Sequence, residues 1–167
     1  SMHICPRCET TLSQQEVSEG YKEVKDLSVV AKFELKDAPS PGLRPPSPTG
    51  RGEGEGPTYM LAWTTTPWTL PGNVALAVGP EIEYVVVKVH NPPQPSLTLR
   101  EGEHLILAKA RLPILGDGYE IVQEMKGKDL VGLKYEPLFP YYKDTKNAFR
   151  VVAGDFVTTE DGTGIVH

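Results

Sequence analysis

The stretch WTTTPWTLPGN, residues 63–73, sets three adjacent hydroxyl side chains between two indole rings. Threonine favours strands, and Pro67 and Pro71 stop a strand from continuing, so the stretch predicts a strand end followed by a turn. Side chains alternate across a strand, which puts Thr64 and Thr66 on one face and Thr65 on the other. Binding groups are common at such strand ends, but a plain strand end explains the same residues. The stretch by itself leaves both interpretations open.

Short segments rich in Val, Ile and Leu lie on either side of this stretch and indicate further strands. Helical signals are few: a possible capping box at Ser13 and Glu16, and short turns within residues 108–115 and 128–132. We therefore predict a mainly β fold, a β-barrel with small peripheral helices. The predicted strands are residues 29–35, 58–64, 74–78, 84–89, 105–107, 119–125, 149–152 and 164–167.

Length and composition limit the function classes. The 167 residues suit one domain, 1–167, and 39% of them are hydrophobic. The net charge of −5 argues against a free-standing nucleic-acid binder, so we expect any RNA to be delivered by another part of a larger protein. No apolar run approaches the ~20 residues of a membrane span. Residues 39–57 contain eleven Pro or Gly among nineteen, which predicts a flexible surface insertion.

The two cysteines, Cys5 and Cys8, have the C-x-x-C spacing of a zinc knuckle or a redox pair. A thioredoxin-like motif needs a preceding strand, and only four residues precede Cys5. A closed zinc site needs four ligands, and His3 is a weak candidate for a third. We therefore predict half a zinc site over residues 5–8, with its other ligands outside this chain; a free dithiol is the alternative.

The segment GTGIVH, residues 162–167, places His167 after two glycines that allow close backbone approach. An imidazole suits proton transfer near neutrality, although a lone histidine is as readily structural. Asp155, Glu160 and Asp161 nearby are predicted to be solvated acids in turns. The sequence has no nucleophile elbow, phosphate-binding loop or dinucleotide fingerprint.

Taken together, the motifs resemble the editing domain, or connective polypeptide 1, of isoleucyl-tRNA synthetases. CPRCETTLSQQEV with GYKEV resembles the zinc knuckle and strand that open that domain, WTTTPWTLPGN its threonine-rich peptide, and GTGIVH the strand with its active-site histidine. Their order and separation fit over the whole chain except the insertion. Valyl and leucyl relatives resemble this pattern but have a Thr-Thr-Arg-Pro peptide, and here Thr66 takes the arginine position. The isoleucyl type is therefore favoured.

The resemblance implies proofreading: hydrolysis of valyl-adenylate, valyl-tRNA(Ile) or both in a pocket that excludes isoleucine. One methylene in a hydrophobic pocket gives only about 1–3 kcal/mol of discrimination, and isoleucine against valine is itself the standard example of this limit. The implied partners are the tRNA(Ile) 3′ end and valyl-adenylate, delivered by the rest of a cytoplasmic, monomeric synthetase that uses no membrane. Editing itself would need no cofactor, while zinc at Cys5 and Cys8 would belong to the full-length enzyme.

The resemblance also implies roles for individual residues. The threonines would hold and orient the aminoacyl group and the attacking water, with Thr66 foremost, and the histidine would bind the terminal ribose and exclude larger side chains. The implied catalytic residues are Thr64, Thr65, Thr66 and His167, and the implied substrate contacts add Trp63, Trp68 and Asn73. The family has an aspartate beyond the histidine that binds the substrate ammonium group. We expect the 167-residue chain, which ends at His167, to edit weakly or not at all and its half zinc site to be empty.

Two alternatives remain at this stage. A valyl-type editing domain would clear threonine instead of valine. A non-catalytic zinc-ribbon or β-barrel adaptor would use the threonines only as strand residues, so that Thr66→Ala would change stability without changing hydrolysis.

Overall fold

The structure is a computed structural model that describes residues 3–5, 7–20, 27–36, 56–90 and 99–167. Most of the predicted insertion 39–57 and of the predicted opening strand in GYKEV lie outside these residues. The strands are β1 His3–Ile4, β2 Thr11–Leu12, β3 Val29–Glu34, β4 Thr58–Thr64, β5 Ala75–Val78, β6 Glu83–Val89, β7 His104–Ala108, β8 Tyr119–Lys126, β9 Arg150–Ala153 and β10 Ile165–Val166. The helices are α1 Gln14–Glu19 and α2 Gly127–Leu130, with 3₁₀ turns at Pro67–Gly72, Lys109–Leu115 and Pro140–Tyr142.

A five-stranded sheet in the order β3-β4-β7-β6-β8 forms the centre of the molecule. All neighbours are antiparallel except β4 and β7, which are parallel. The inner strands consist almost wholly of buried residues, as expected for strands covered on both faces. The outer strand β8 has the sequence YEIVQEMK, and its charged side chains protect an exposed edge from pairing with another chain.

A second, three-stranded sheet has the order β10-β5-β9, with β5 antiparallel to β10 and parallel to β9. Isolated bridges from Leu35 to Tyr135 and from Lys134 to Arg150 connect the edge of β3 to the edge of β9. The predicted mainly β class is therefore confirmed. The closed barrel is not confirmed, because the ladders among the described residues form these two open sheets and a separate two-stranded sheet of β1 and β2, with no continuous closed ladder.

Two apolar clusters lie on opposite faces of the five-stranded sheet, and β4 contributes to both because successive side chains alternate. Met60 and Ala62 join the cluster between the two sheets, where Phe33, Tyr84 and Tyr135 are fully buried. On the other face, Leu61 joins the cluster closed off by Leu112 and Leu115 of the second 3₁₀ turn. Burial of a large apolar side chain such as Met60 or Leu61 stabilises the folded state by about 1.5–3 kcal/mol. This packing on both faces fixes the position of β4 and of the threonines that follow it.

The helices are short and peripheral, as predicted. Ser13 caps α1: its hydroxyl accepts from the Glu16 N–H, and the Glu16 carboxylate accepts from the Ser13 N–H at 2.8 Å, completing the predicted capping box. The carboxylate also accepts from the Ser13 hydroxyl, and these bonds lower the pKa of Glu16, the backbone bond most. Within the described residues, no helix has the length and apolar character needed to cross a membrane.

Candidate functional site

A cavity of about 720 Å³ opens where the end of β4 meets the start of β10. Its lining comes from three parts of the chain: the threonine stretch, the residues leading into β5, and the segment from Phe156 to His167. The lining includes Trp63, Thr64, Thr65, Thr66, Thr69, Asn73, Asp161, Thr163 and His167. Residues that the sequence separates by about a hundred positions thus meet in one place, in a cavity of ordinary size for a small-molecule site.

The threonines line the cavity because β4 ends among them. Thr64 is the last residue of the strand, and its hydroxyl accepts a hydrogen bond from the Thr66 N–H at 3.0 Å, which turns the backbone. Pro67 then begins the 3₁₀ turn, where its missing N–H costs nothing. The hydroxyls of Thr64 and Thr66 lie 3.2 Å apart, as their predicted shared face requires, and Thr65 is exposed at the cavity.

Thr69 extends this row of hydroxyls and was not among the predicted site residues. Its Oγ1 lies 3.4 Å from that of Thr66 and donates to the Thr66 carbonyl at 2.7 Å. A 3₁₀ turn has three residues per turn, so positions 66 and 69 stack on one side of it. The sequence signal that could have identified Thr69 is its position three residues after Thr66, in a turn that begins at Pro67.

The two tryptophans differ in placement. Trp63 is half-buried and lines the cavity, as predicted. Trp68 lies outside the lining with 68% of its surface exposed, so the structure does not place it at this cavity, and its contact with a substrate stays a prediction. The reason for its placement is the 3₁₀ turn: it aligns residues 66 and 69, and so directs position 68 away from them.

Asn73 fixes the segment between the 3₁₀ turn and β5. Its amide nitrogen donates to the Ala75 carbonyl at 2.8 Å, and its amide oxygen accepts from the Tyr135 hydroxyl at 2.6 Å. Burial raises the pKa of Tyr135 well above its usual range, so the hydroxyl stays protonated and donates. The structure shows Asn73 fixing this loop, and the contact with a substrate that the resemblance implies stays a prediction.

The segment before β10 is held by hydrogen bonds to β6 and β4. The Tyr84 hydroxyl donates to the Gly164 carbonyl at 2.6 Å and accepts from the Gly79 N–H, while Thr163 donates to the Leu61 carbonyl at 2.5 Å. Burial raises the pKa of Tyr84 to about 12, which keeps its proton in place. Gly164 has φ +75° and lies against Ala108, where a Cβ would be 2.4 Å from the Ala108 Cβ. Only glycine fits there without a backbone shift.

His167 lines the cavity and is half-buried. Removal of the ring from water lowers its pKa below the ordinary 6.5, so at pH 7 the imidazole is neutral and has one nitrogen able to accept a hydrogen bond. The predicted turn acids Asp155, Glu160 and Asp161 are exposed, and Asp161 also lies at the cavity.

Cys5 and Cys8 lie in the turn between β1 and β2, far along the chain from the cavity residues. The Cys8 sulfur is 3.1 Å from the Thr10 hydroxyl, a contact that lowers the pKa of Cys8 and so favours the thiolate that zinc requires. Among the described residues, no third histidine, cysteine or carboxylate joins them in a metal-binding group. Half a zinc site at these two thiols stays a prediction, and His3 does not join them in a metal-binding group of three.

Comparison with known proteins supplies the context for this geometry. No family model matches the chain. It is 48% identical over 163 residues to an isoleucine–tRNA ligase of Clostridium acetobutylicum, 48% identical over 164 residues to that of Clostridium tetani, and 46% identical over 164 residues to that of Bacillus thuringiensis. Each match covers 98% of this chain but only 13% of the relative.

Two solved structures have a similar fold. GlLeuRS-CP1 superposes with a TM-score of 0.58 at 20% identity, over 84% of this chain and 52% of that one. The editing domain of the cytosolic leucyl-tRNA synthetase of P. knowlesi gives 0.52 at 18% identity, over 66% of this chain and 45% of that one. At these identities the likeness concerns the fold alone.

Proposed function

The chain matches isoleucine–tRNA ligases over 98% of its length and has the fold of leucyl-tRNA synthetase editing domains, and on this premise we propose that its cavity hydrolyses valine wrongly attached to tRNA(Ile) or to adenylate. The observation that carries the proposal is the convergence in one cavity of Thr64, Thr65 and Thr66 with His167. The family resemblance implied these four residues as the catalytic set, and all four line the cavity.

The proposed chemistry needs a positioned water more than a protein nucleophile. Water attacks the carbonyl carbon of the ester, the bond from that carbon to the ribose oxygen breaks, and the ribose oxygen takes up the proton that the attacking water gives up. Thr64 already accepts from the Thr66 N–H, so it supports the turn. The Thr66 hydroxyl is exposed at the cavity beside the hydroxyls of Thr64 and Thr69, and there it orients both the water and the aminoacyl group. Holding reactants in attack geometry accounts for much of the rate gained in such a step.

His167 and Asn73 have different tasks in this proposal. The neutral imidazole accepts a hydrogen bond from a ribose hydroxyl, and its bulk limits the aliphatic side chain that fits beside Trp63. Asn73 holds the loop through Tyr135 and Ala75. The ligase reaction belongs to the parts of the relatives that this chain does not span, and we propose that those parts deliver the tRNA end and complete any zinc site.

Deacylation by the full-length protein tests the proposal. We expect valyl-tRNA(Ile) to be hydrolysed much faster than isoleucyl-tRNA(Ile) or threonyl-tRNA, and Thr66→Ala to lower the valyl rate by about 10- to 100-fold, the effect of misplacing a reactant. Thr145→Ala, at an exposed threonine outside the cavity, is the matched control and should act like wild type.

Each other outcome has a defined meaning. Preferred hydrolysis of threonyl-tRNA would point to the valyl-type editor. Unchanged valyl hydrolysis in Thr66→Ala, with altered stability, would support the adaptor and contradict the role of the threonines.

A further inference from the structure

Trp63 borders two cavities. One is the threonine-lined cavity; the other, of about 420 Å³, is lined by Trp63, Arg111, Ile114, Asp161, Gly162 and, at the start of β3, Ser28 and Val30. Because part of its surface faces open space, the position of Trp63 depends on the contacts that remain.

Gly162 provides that contact. It adopts φ +67°, and a Cβ at this position would lie 3.0 Å from Trp63 Cε3 and 3.3 Å from Trp63 Cβ. The Gly162 backbone therefore lies against Trp63 so closely that a side chain at this position would displace the indole. Any outward movement of the Asp161–Gly162 turn widens the space available to Trp63 and to a ligand beside it.

Arg111 holds the turn in place. Its Nε donates to the Gly162 carbonyl at 2.7 Å, and one of its terminal nitrogens donates to the Glu160 carbonyl at 3.0 Å. Arg111 lies in the 3₁₀ turn Lys109–Leu115, which the core anchors through buried Leu115. The planar guanidinium fork is suited to two acceptors at fixed positions, and a lysine ammonium can match only one of them closely.

We propose that Arg111 is a positioning residue that sets the width of the cavity: by holding the 160–162 turn against Trp63, it limits which aliphatic amino acid fits. The inference rests on the proposed editing function and assigns the source of its selectivity. Arg111 does not contact the reacting atoms; it acts on them only through Gly162 and Trp63.

The experiment measures kcat/KM for valyl-tRNA(Ile) and isoleucyl-tRNA(Ile) with the full-length protein. In Arg111→Met we expect the isoleucyl-to-valyl ratio to rise roughly tenfold, the lower end of what one methylene is worth in a pocket. Arg111→Lys should recover part of the selectivity, because one donor remains. Arg150→Met, at an exposed arginine of β9, is the matched control and should leave the ratio unchanged.

The possible outcomes distinguish a failure of the proposed Arg111 role from a failure of the proposed editing function. A wild-type protein that selects valine, with a ratio that Arg111→Met leaves unchanged or with both rates reduced equally, overturns the positioning role and leaves the editing function standing. A wild-type protein that hydrolyses neither ester overturns the editing function, and this inference with it.

Discussion

Asn73 shows how a single side chain determines the local path of the backbone at the cavity. The residue before it ends a 3₁₀ turn and the residue after it leads into β5, so the chain changes direction at this point. Because the Ala75 carbonyl can only accept and the neutral Tyr135 hydroxyl donates, the orientation of the Asn73 amide is fully determined. Isosteric aspartate has no donor for the Ala75 carbonyl, so the amide is specifically required.

This pairing predicts a measurable coupling. Asn73→Ala should destabilise the protein by about 2 kcal/mol, because it leaves the buried Tyr135 hydroxyl without its acceptor, and Tyr135→Phe by about 1 kcal/mol. The double variant should lose clearly less stability than the two single variants lose together, because Tyr135→Phe removes the hydroxyl that Asn73→Ala leaves without an acceptor. Urea unfolding of the four proteins measures the cycle, and strict additivity would contradict it.

At the scale of elements, β10 is only two residues long and depends on bonds outside its ladder. The Tyr84 hydroxyl, the Leu61 carbonyl and the Ala108 N–H all form hydrogen bonds with the segment just before it, so contacts to β4, β6 and β7 help to position the strand. Gly164 lies against Ala108 of β7 in this segment.

Gly164→Ala should therefore destabilise strongly, by about 3 kcal/mol, from left-handed strain and overlap with Ala108 together. Gly132→Ala is the matched control: φ is +94°, a new Cβ meets nothing within 4 Å, and only strain of about 1 kcal/mol is expected. Thermal or urea unfolding compares the two, and Ala108→Gly should partly rescue Gly164→Ala. Equal losses at both glycines would contradict the close contact.

The existence of most elements was predictable from sequence, because β-branched runs bounded by Gly and Pro mark strands wherever they pair. The predicted strand 58–64 coincides with β4, and the others differ by one or two residues at their ends. The pairing partners were not predictable, since the parallel pairs β4–β7 and β5–β9 join segments far apart in the chain. For the same reason the role of Arg111 was not predictable from the sequence. Its partners are backbone carbonyls, which every residue has, and the one at Gly162 lies far along the chain.

At the scale of the whole molecule, charge limits what the chain can do alone. A net charge of −5 and a pI near 5.4 disfavour binding to the phosphate backbone of a nucleic acid. The cavity itself presents hydroxyls and a neutral imidazole, with Asp161 beside them. The proposed substrate is therefore recognised at its aminoacyl end, and the charge of its backbone contributes little here.

We accordingly expect the 167-residue chain to bind an acceptor-stem RNA hairpin no more tightly than about 10⁻⁴ M at physiological salt, the weak end of non-specific binding. The dependence of log K on log salt should be shallow, because few counterions are released. Fluorescence anisotropy over a salt series measures both. A submicromolar Kd with a steep salt slope would show a basic surface patch that outweighs the overall charge.

The pairing of Ile165 with Val78 has a consequence for biosynthesis. A growing polypeptide leaves the ribosome from its amino end, so the first sheet and the threonines emerge long before the strand that faces them. Until β10 docks on β5, the nascent domain has no complete pocket, and the edge of β5 that pairs with β10 is open to chaperones or to other strands. On the proposed function, the chain can therefore hydrolyse an ester only after residues 156–167 have been synthesised and have folded against β4 and β5.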